Sequence, residues 1–392
     1  MDIVILADFL GPLDGTFNSR FLYLADMLSK DNEVEVITSD FIHGEKKYID
    51  HDIEKHNYII TMLHEGMYSK NVSLGRFYGH YIWGKNVTRY LINRRKKPDA
   101  IYCAIPTLYA SYEAARFCER NKIRFVIDVQ DLWPEAYKMV FNVPVISSIV
   151  FSPFKFLADG IYRRADAICA VSDTYCKRAA SVNKRVKETV TVFLGTKLSL
   201  FDENVRQNPI KKDKCLWLGY CGSMGDSYDL KVVIDALALL ENPPTFIAMG
   251  DGQKKDEFER YAKEKSVKCL FTGRLPYDKM CGWLKKCDMV VNPIVGNSAA
   301  SIINKHADYA ASGRPVLNTQ NSKEYRNLVE EYNMGFNCES GNATDLAEKI
   351  RILVEDEHLR IQLGENARRC AKERFDREKT YIDLMYAITS QD

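Results

Sequence analysis

The sequence lacks most of the features that would commit a chain to a special partner or environment. Its formal net charge is only +2 over 392 residues, so overall charge lends no support to a nucleic-acid partner. Local clusters such as Arg94-Arg95-Lys96-Lys97 read as the cationic end of a solvated helix, where the helix dipole favours them. No apolar run reaches the ~20 residues needed to span a bilayer. The opening MDIVILADFL passes from an acidic residue into a short strand, without the basic segment and cleavage site of a secretion signal. A cytoplasmic location is therefore expected. Eleven cysteines are present, but none forms a C-x-x-C pair, and Cys169 and Cys269 sit inside apolar runs. They read as small buried hydrophobes in a reducing compartment, not as a disulfide framework or a metal knuckle. No G-x-G-x-x-G follows the first strand, which argues against a nicotinamide or flavin site. Solenoid repeats and low-complexity tracts are missing too.

What is present is an alternation of short β-rich runs and amphipathic helical stretches. The first half offers strands beginning at Ile3, Val34, Ala100, Arg124, Ala167 and Thr189; the second half offers others at Leu216, Thr245, Val267, Met289 and Pro315. Between them lie stretches such as SRFLYLADMLSK, where Phe21, Leu24 and Leu28 form one apolar stripe. Continuous apolar strands alternating with helices predict an α/β chain with parallel sheets covered on both faces. A chain of this length exceeds a single core, so two domains are expected. The polar, aperiodic KLSLFDENVRQNPIKKDK marks the boundary. It divides a domain over 1–195, a linker over 196–213 and a domain over 214–372, with the closing helix 373–392 packing back on the first. Ligands of doubly wound domains bind beyond the carboxyl ends of the strands, so two such domains facing one another would enclose a cleft.

The loops of the second half carry the candidate chemistry. Gly222, Ser223 and Gly225 follow a strand and precede the helix DLKVVIDALALL, where backbone N–H groups can approach a phosphate. Steric need alone also explains glycines at such turns. Asp251 stands between two glycines at the next strand end, and Gly273-Arg274 at the one after. Arg274 could pair with phosphates, or be a plain surface arginine. The most informative stretch is PIVGNSAASIINKHADYAASGRPVL. Its small residues Ser298, Ala299, Ala300 and Ser301 permit close approach, and Asn304 and Lys305 follow as a helix opens. Free N–H donors and an ammonium can converge there on a diphosphate. Asp308, about one turn on, is placed to accept hydrogen bonds from ribose hydroxyls.

In the first half, Gly11 and Gly15 make a pliable loop ahead of a helix that Asn18 or Ser19 can cap. Gln130, Asp131 and Trp133 fall at a strand end, where a carboxylate can orient an acceptor hydroxyl or stabilise developing positive charge. Asp131 can equally cap a helix started by Pro134. Asp50-His51-Asp52 is a D-x-D of the kind that binds metal, but its polar surroundings read as an exposed loop. No metal site is expected.

Taken together, VQDLWPEA, YRRADAICAVS, LGYCGSMGDSYDL, MGDG, FTGRLPYDKM, SIINKHADYAASGRPVL and ERFDREKTYIDLM resemble, in order and spacing, the family 4 glycosyltransferases of the GT-B fold. The resemblance runs along nearly the whole chain and is strongest to bacterial fucosaminyltransferase-like enzymes of surface polysaccharide synthesis. It implies two Rossmann-like domains facing across a cleft, and metal-independent, anomer-retaining transfer from a nucleotide sugar, most often a UDP-sugar. It implies no cofactor. Lys305, with Asp131 and Gln130, falls at the reacting end, and Gly15, Gly222, Ser223, Gly225, Asp251, Arg274, Ser301, Asn304, Lys305 and Asp308 form the donor site. The chain departs from the family where a Glu-x7-Glu pair is usual: Ala300 and Asp308 stand there. Ser223 replaces a usual arginine, Gln130 a common histidine, and Asp229 marks a branch variant.

The segment 140–165 mixes bulky apolar residues with Lys155, Arg163 and Arg164. It reads equally as a packed connecting helix or as a contact with the inner face of the cell membrane. The resemblance favours the second reading, with a polyprenyl-diphosphate-linked or other saccharide acceptor. Two other functions fit the same outline: a UDP-sugar epimerase of the same fold, and a non-catalytic subunit of a polysaccharide assembly.

Overall fold

The computed structural model describes residues 1–10, 13, 19–51, 53–70, 73–135, 151–187, 189–296 and 301–390. The chain divides into two compact units, one of Met1–Phe193 with Tyr381–Asp392 and one of Leu194–Thr380.

The first unit runs β1 (Asp2–Leu6), α1 (Arg20–Leu28), β2 (Glu33–Ser39), the short antiparallel pair β3 (Phe41–Ile42) and β4 (Lys47–Tyr48), β5 (Ile59–Leu63), α2 (Leu74–Asn93), β6 (Ala100–Ile105), α3 (Leu108–Asn121), β7 (Arg124–Val129), α4 (Ser152–Arg164), β8 (Ala167–Ala170), α5 (Asp173–Ala180) and β9 (Thr189–Thr191). Its main sheet has the order β5-β2-β1-β6-β7-β8-β9. Every pairing in it is parallel, with Ile3 opposite Val34 on one side and Ala100 on the other. Ile3, Val4 and Ile5 are all buried, as continuous apolar strands must be when both faces are covered. Phe21, Leu24 and Leu28 of α1 bury the face that their spacing predicts, and Ser19 caps the helix by accepting from Leu22 N–H. Beside it Arg20 is buried. It grips Asp128 of β7 through two bonds of 2.8 and 3.2 Å and donates to the carbonyls of Val192 and Phe193. Removing one member of such a buried pair costs about 3–5 kcal/mol, because the other charge stays behind uncompensated.

The second unit runs α6 (Leu198–Gln207), β10 (Trp217–Cys221), α7 (Leu230–Ala238), β11 (Thr245–Met249), α8 (Lys255–Glu264), β12 (Cys269–Gly273), α9 (Tyr277–Lys286), β13 (Met289–Asn292), α10 (Asn304–Ser312), β14 (Val316–Asn318), α11 (Lys323–Glu331), β15 (Gly335–Asn337), α12 (Ala343–Glu355), α13 (Glu357–Cys370), a π-helical turn (Ala371–Phe375) and α14 (Arg377–Thr389). Its parallel sheet has the order β12-β11-β10-β13-β14-β15. The order reverses after β10, so the loops after β10 and β13 diverge at a switch point of the kind where ligands bind.

The stretch 196–213 is not simply a linker: α6 occupies its middle and buries Leu198 and Phe201. Two inward apolar residues are too few to show a period in a window of this polarity. The chain re-enters the first unit within α14, whose Tyr381, Leu384 and Ile388 join the core around Leu24, Tyr102 and Val126. There Arg124 donates to the carbonyl of Ala387 at 2.9 Å.

Candidate functional site

In the second unit the loops at the carboxyl edge of the sheet are knitted together by backbone bonds. Gly222 N–H donates to Met249 O, Met224 N–H to Asp251 O, Gly250 N–H to Gly273 O and Asp229 N–H to Pro293 O. This places the predicted Gly222–Gly225, Asp251 and Gly273–Arg274 segments in one contiguous loop surface. Gly250 has φ +150°, and a Cβ on it would overlap the carbonyl of Gly222. Only glycine fits there.

Lys305 points into this surface from the first turn of α10. A Cβ on Gly222 would overlap its ammonium, so the glycine makes room for the lysine. The side chain is 9% exposed, and it donates to the Tyr220 hydroxyl at 3.4 Å. Among the described residues it has no carboxylate partner. Burial lowers its pKa from the ordinary 10.5 to about 7, and the neighbouring Cys221 thiol, itself pushed up to about 12 by burial, stays protonated and offers no counter-charge. An ammonium desolvated without a counter-charge is costly. A bound anion would remove that cost.

Asp308 lies one turn along the same helix, half-buried. The Tyr277 hydroxyl donates to its Oδ1 at 2.9 Å and also meets Thr196 Oγ1 at 2.7 Å. Burial raises the carboxyl to about 6, opposed by the Tyr277 bond and by the Arg377 charge. Arg274, Asn304, Ser223 and Asp251 are exposed, and Asp251 Oδ1 accepts from Gly252 N–H at 2.8 Å. Ser301 is buried and donates to Glu324 Oε2 at 2.8 Å. Asp229 caps α7 by accepting from Val232 N–H. Gly15, Ser298, Ala299 and Ala300 lie outside the described residues.

Several side chains of this region went unremarked in the sequence. His306 is fully buried and lies flat on Tyr325, with ring centroids 3.4 Å apart. Its Nδ1 receives the N–H of Ile303, and burial keeps the ring neutral. Asn292, Asn318 and Gln320 continue from it as a buried amide ladder, and Gln320 donates to the carbonyl of Ser301. This ladder holds the backbone that leads into Lys305.

In the first unit Gln130 turns inward and donates to Asp128 Oδ2 at 2.6 Å. Asp131 is half-buried. It accepts from Leu132 N–H at 2.8 Å and from Trp133 Nε1 at 3.2 Å, and burial raises its pKa. Beside Trp133 is a cluster that sequence reading did not find. Asp8, Glu65 and His80 are buried, with ligand-type atoms all within 4.8 Å of one another. Thr107 donates to Asp8 and Ser39 to Glu65, which leaves Asp8 Oδ1 and Glu65 Oε1 without a donor. Burial first, and then mutual repulsion, pushes the Glu65 carboxyl up. The pair can therefore hold one proton between its two free oxygens, as closely placed carboxyls do. Arg76, packed over Trp133 at 4.7 Å, supplies the balancing positive charge. His80 is stacked on Trp133 and held neutral by burial. A metal ion in this cluster would have to displace the proton and lie near Arg76.

The D-x-D segment shows an exposed Asp50 beside a half-buried His51, and Asp52 lies outside the described residues. Of segment 140–165, residues 140–150 also lie outside them. In α4, Phe156 is 62% exposed, Lys155 pairs with Asp159, and Arg164 pairs with Glu119. No helix among the described residues is long and apolar enough to cross a membrane.

Comparisons agree with this layout. Residues 216–356 match the family model described as "Glycosyl transferases group 1". An uncharacterized glycosyltransferase of Methanocaldococcus jannaschii is 26% identical over 166 residues, which is 42% of this chain and 45% of that protein. The match thus spans less than half of the curated relative. The crystal structure of Anabaena HepE in complex with UDP-glucose superposes with a TM-score of 0.66 at 18% identity, covering 98% of each chain. The sucrose-phosphate synthase of Thermosynechococcus elongatus gives a TM-score of 0.76 at 14% identity, again over 98% of each. The chain therefore has the two-sheet α/β architecture of the GT-B glycosyltransferases, and its segment 216–356 is similar to their group 1.

Proposed function

We propose that this chain is a glycosyltransferase that takes its sugar from a nucleotide sugar, UDP-linked, and passes it to a saccharide acceptor. The observation that carries the reading is Lys305: a buried ammonium without a carboxylate partner, set among glycine loops at the carboxyl edge of a parallel sheet. The match of 216–356 to group 1 glycosyltransferases and the UDP-glucose complex of a structural neighbour support it.

In this reading the donor diphosphate lies against Gly222, Ser223, Gly225 and Lys305, with Arg274 and Asn304 at its exposed side. Asp308 receives the ribose hydroxyls, with the Tyr277 hydroxyl donating to its Oδ1 and fixing its orientation. Charge on the departing diphosphate is met by Lys305, Arg274 and backbone N–H groups, in place of a divalent ion. Transfer retains the anomeric configuration, with the leaving phosphate oxygen accepting the acceptor's proton. No protein nucleophile is then required. Asp131 acts on the acceptor side, and Gln130 serves it from the Asp128 contact. The acceptor is a lipid-linked saccharide of surface polysaccharide assembly, approached with 140–165 at the cytoplasmic membrane face.

The test is thermal unfolding with UDP-, GDP- and CMP-sugars, with and without EDTA, followed by donor hydrolysis or transfer. A ligand that binds only the native state raises its stability. A shift with UDP-sugars that survives EDTA and is lost in Lys305→Ala is expected. No shift with any nucleotide sugar would overturn the reading.

A further inference from the structure

We propose that Tyr228, with Tyr220 behind it, is the positioning residue for Lys305: its ring face holds the ammonium in place while leaving the whole positive charge available to the donor's diphosphate. The inference rests on the donor-site reading above and deepens it.

The Lys305 Nζ lies 3.7 Å from the centroid of the Tyr228 ring and 4.5 Å from that of Tyr220. The two rings stand 5.9 Å apart at 62°, so they form two walls of one box. A cation over an aromatic face is attracted by the ring's quadrupole, most strongly when water is excluded. That attraction differs from an ion pair in one respect: the ring carries no net charge. A carboxylate in the same place would neutralise the lysine and would have to be displaced before a phosphate could bind. The tyrosines locate the charge without cancelling it.

Tyr228 is itself well anchored. It forms a backbone bridge to Ile294. The neighbouring Asp229 N–H donates to Pro293 O at 2.8 Å, and Val295 N–H donates to Ser227 O at 3.2 Å. The loop after β10 is therefore bound to the loop after β13, which leads on towards Lys305. The Tyr220 hydroxyl donates to Ser223 O, so the second wall is tied to the proposed phosphate loop.

None of the groups in contact with the ammonium is a carboxylate, and the nearest one on the same helix, Asp308, is turned to the Tyr277 hydroxyl. From β10 come the Cys221 thiol, held protonated, and the Tyr220 hydroxyl. From the following loop comes the Tyr228 hydroxyl, also raised by burial. On α10 itself His306 is neutral, the Tyr309 hydroxyl is engaged with the Cys221 backbone, and Asp308 is held by Tyr277 of α9. The balance between ammonium and amine is thus set by burial against the two rings, until an anion arrives.

The experiment is calorimetric titration with UDP from pH 6 to 9.5 on the full chain and on Tyr228→Phe and Tyr228→Leu. Wild-type affinity is expected to fall as pH rises through the Lys305 transition near 7. Tyr228→Phe keeps the ring and should keep both the affinity and the midpoint. Tyr228→Leu should lose about tenfold in affinity at pH 7 and move the midpoint to lower pH. An unchanged midpoint in Tyr228→Leu overturns the proposal, as does a loss in Tyr228→Phe equal to that in Tyr228→Leu. A second measurement needs neither variant nor nucleotide: NMR of the lysine ε-methylene groups in the ligand-free chain, titrated with pH and with inorganic pyrophosphate. Stacking on two rings should displace the Lys305 ε-proton signals upfield of those of exposed lysines, and an unshifted signal overturns the proposal. Failure of the wild type to bind UDP would sink the donor-site reading, while this ring-current measurement would still judge the tyrosine box.

Discussion

Replacing Lys305 by methionine removes the charge while keeping an unbranched stem of similar length, and it should move stability and nucleotide affinity in opposite directions. Folding lowers the pKa of this ammonium from 10.5 to about 7, so between those values the native chain holds fewer protons than the unfolded one. Wild-type stability therefore rises with pH across that window, and the cost of burying the ammonium is largest at low pH. At roughly 1.4 kcal/mol per pH unit, the cost is about 4 kcal/mol at pH 7, about 2 kcal/mol at pH 9 and nothing above about pH 10.5. Lys305→Met should recover up to those amounts, seen in urea unfolding as a midpoint raised at pH 7 and converging on wild type by pH 10. The same substitution removes a charge-assisted contact to phosphate, which is worth about 1.5–3 kcal/mol, or about 10–150-fold in the UDP dissociation constant. A variant that is less stable than wild type at pH 7 and binds UDP equally well would refute the reasoning on both counts. The lysine would then be structural.

Asp131→Asn should leave UDP affinity within about twofold and lower the transfer rate by about 100-fold or more, the usual loss when a positioned acid–base or electrostatic group is removed; single-turnover transfer with saturating donor reads this directly. Glu65→Gln should be nearly neutral near pH 5 and more stable than wild type by pH 7, because a glutamine can accept from Ser39 and donate to Asp8 as the protonated acid does, without the proton uptake that folding demands of the wild type. Glu65→Ala should cost about 1–3 kcal/mol through the groups it leaves unpaired. Since folding raises the Glu65 pKa, the native wild type holds the extra proton and loses stability as pH rises from the acid range. Glu65→Gln should flatten that loss, and parallel denaturation curves for the two proteins from pH 5 to 9 would contradict the shared proton.

The limits of sequence reading follow from how each element is stabilised. Strands such as β1 and β10 are continuous apolar runs because both sheet faces are covered, so they are visible without a fold. β5 escaped because it lies at a sheet edge with Ile59 65% exposed, and IITML carries no strong period. β15 has only three residues. α6 was hidden in a polar window because Leu198 and Phe201 are its main inward anchors. Lys305 and Gly222 could be picked out singly by residue type and by place after a strand. That the glycine clears space for that lysine became visible only when β10 and β13 were paired side by side.

The amino-acid order alone determined two parallel α/β units, the loops that end their strands, and the presence of a lysine, an aspartate and glycines in those loops, since periodicity and backbone freedom are local properties. The tertiary structure decided which groups are charged and which are spent. It withdrew the Lys305 ammonium from water between two tyrosine rings, turned Gln130 onto Asp128, and brought Asp8, Glu65 and His80 together from three separate elements. These outcomes depend on burial and on distances between residues far apart in the chain, and it is desolvation at those places that sets the electrostatics of the site.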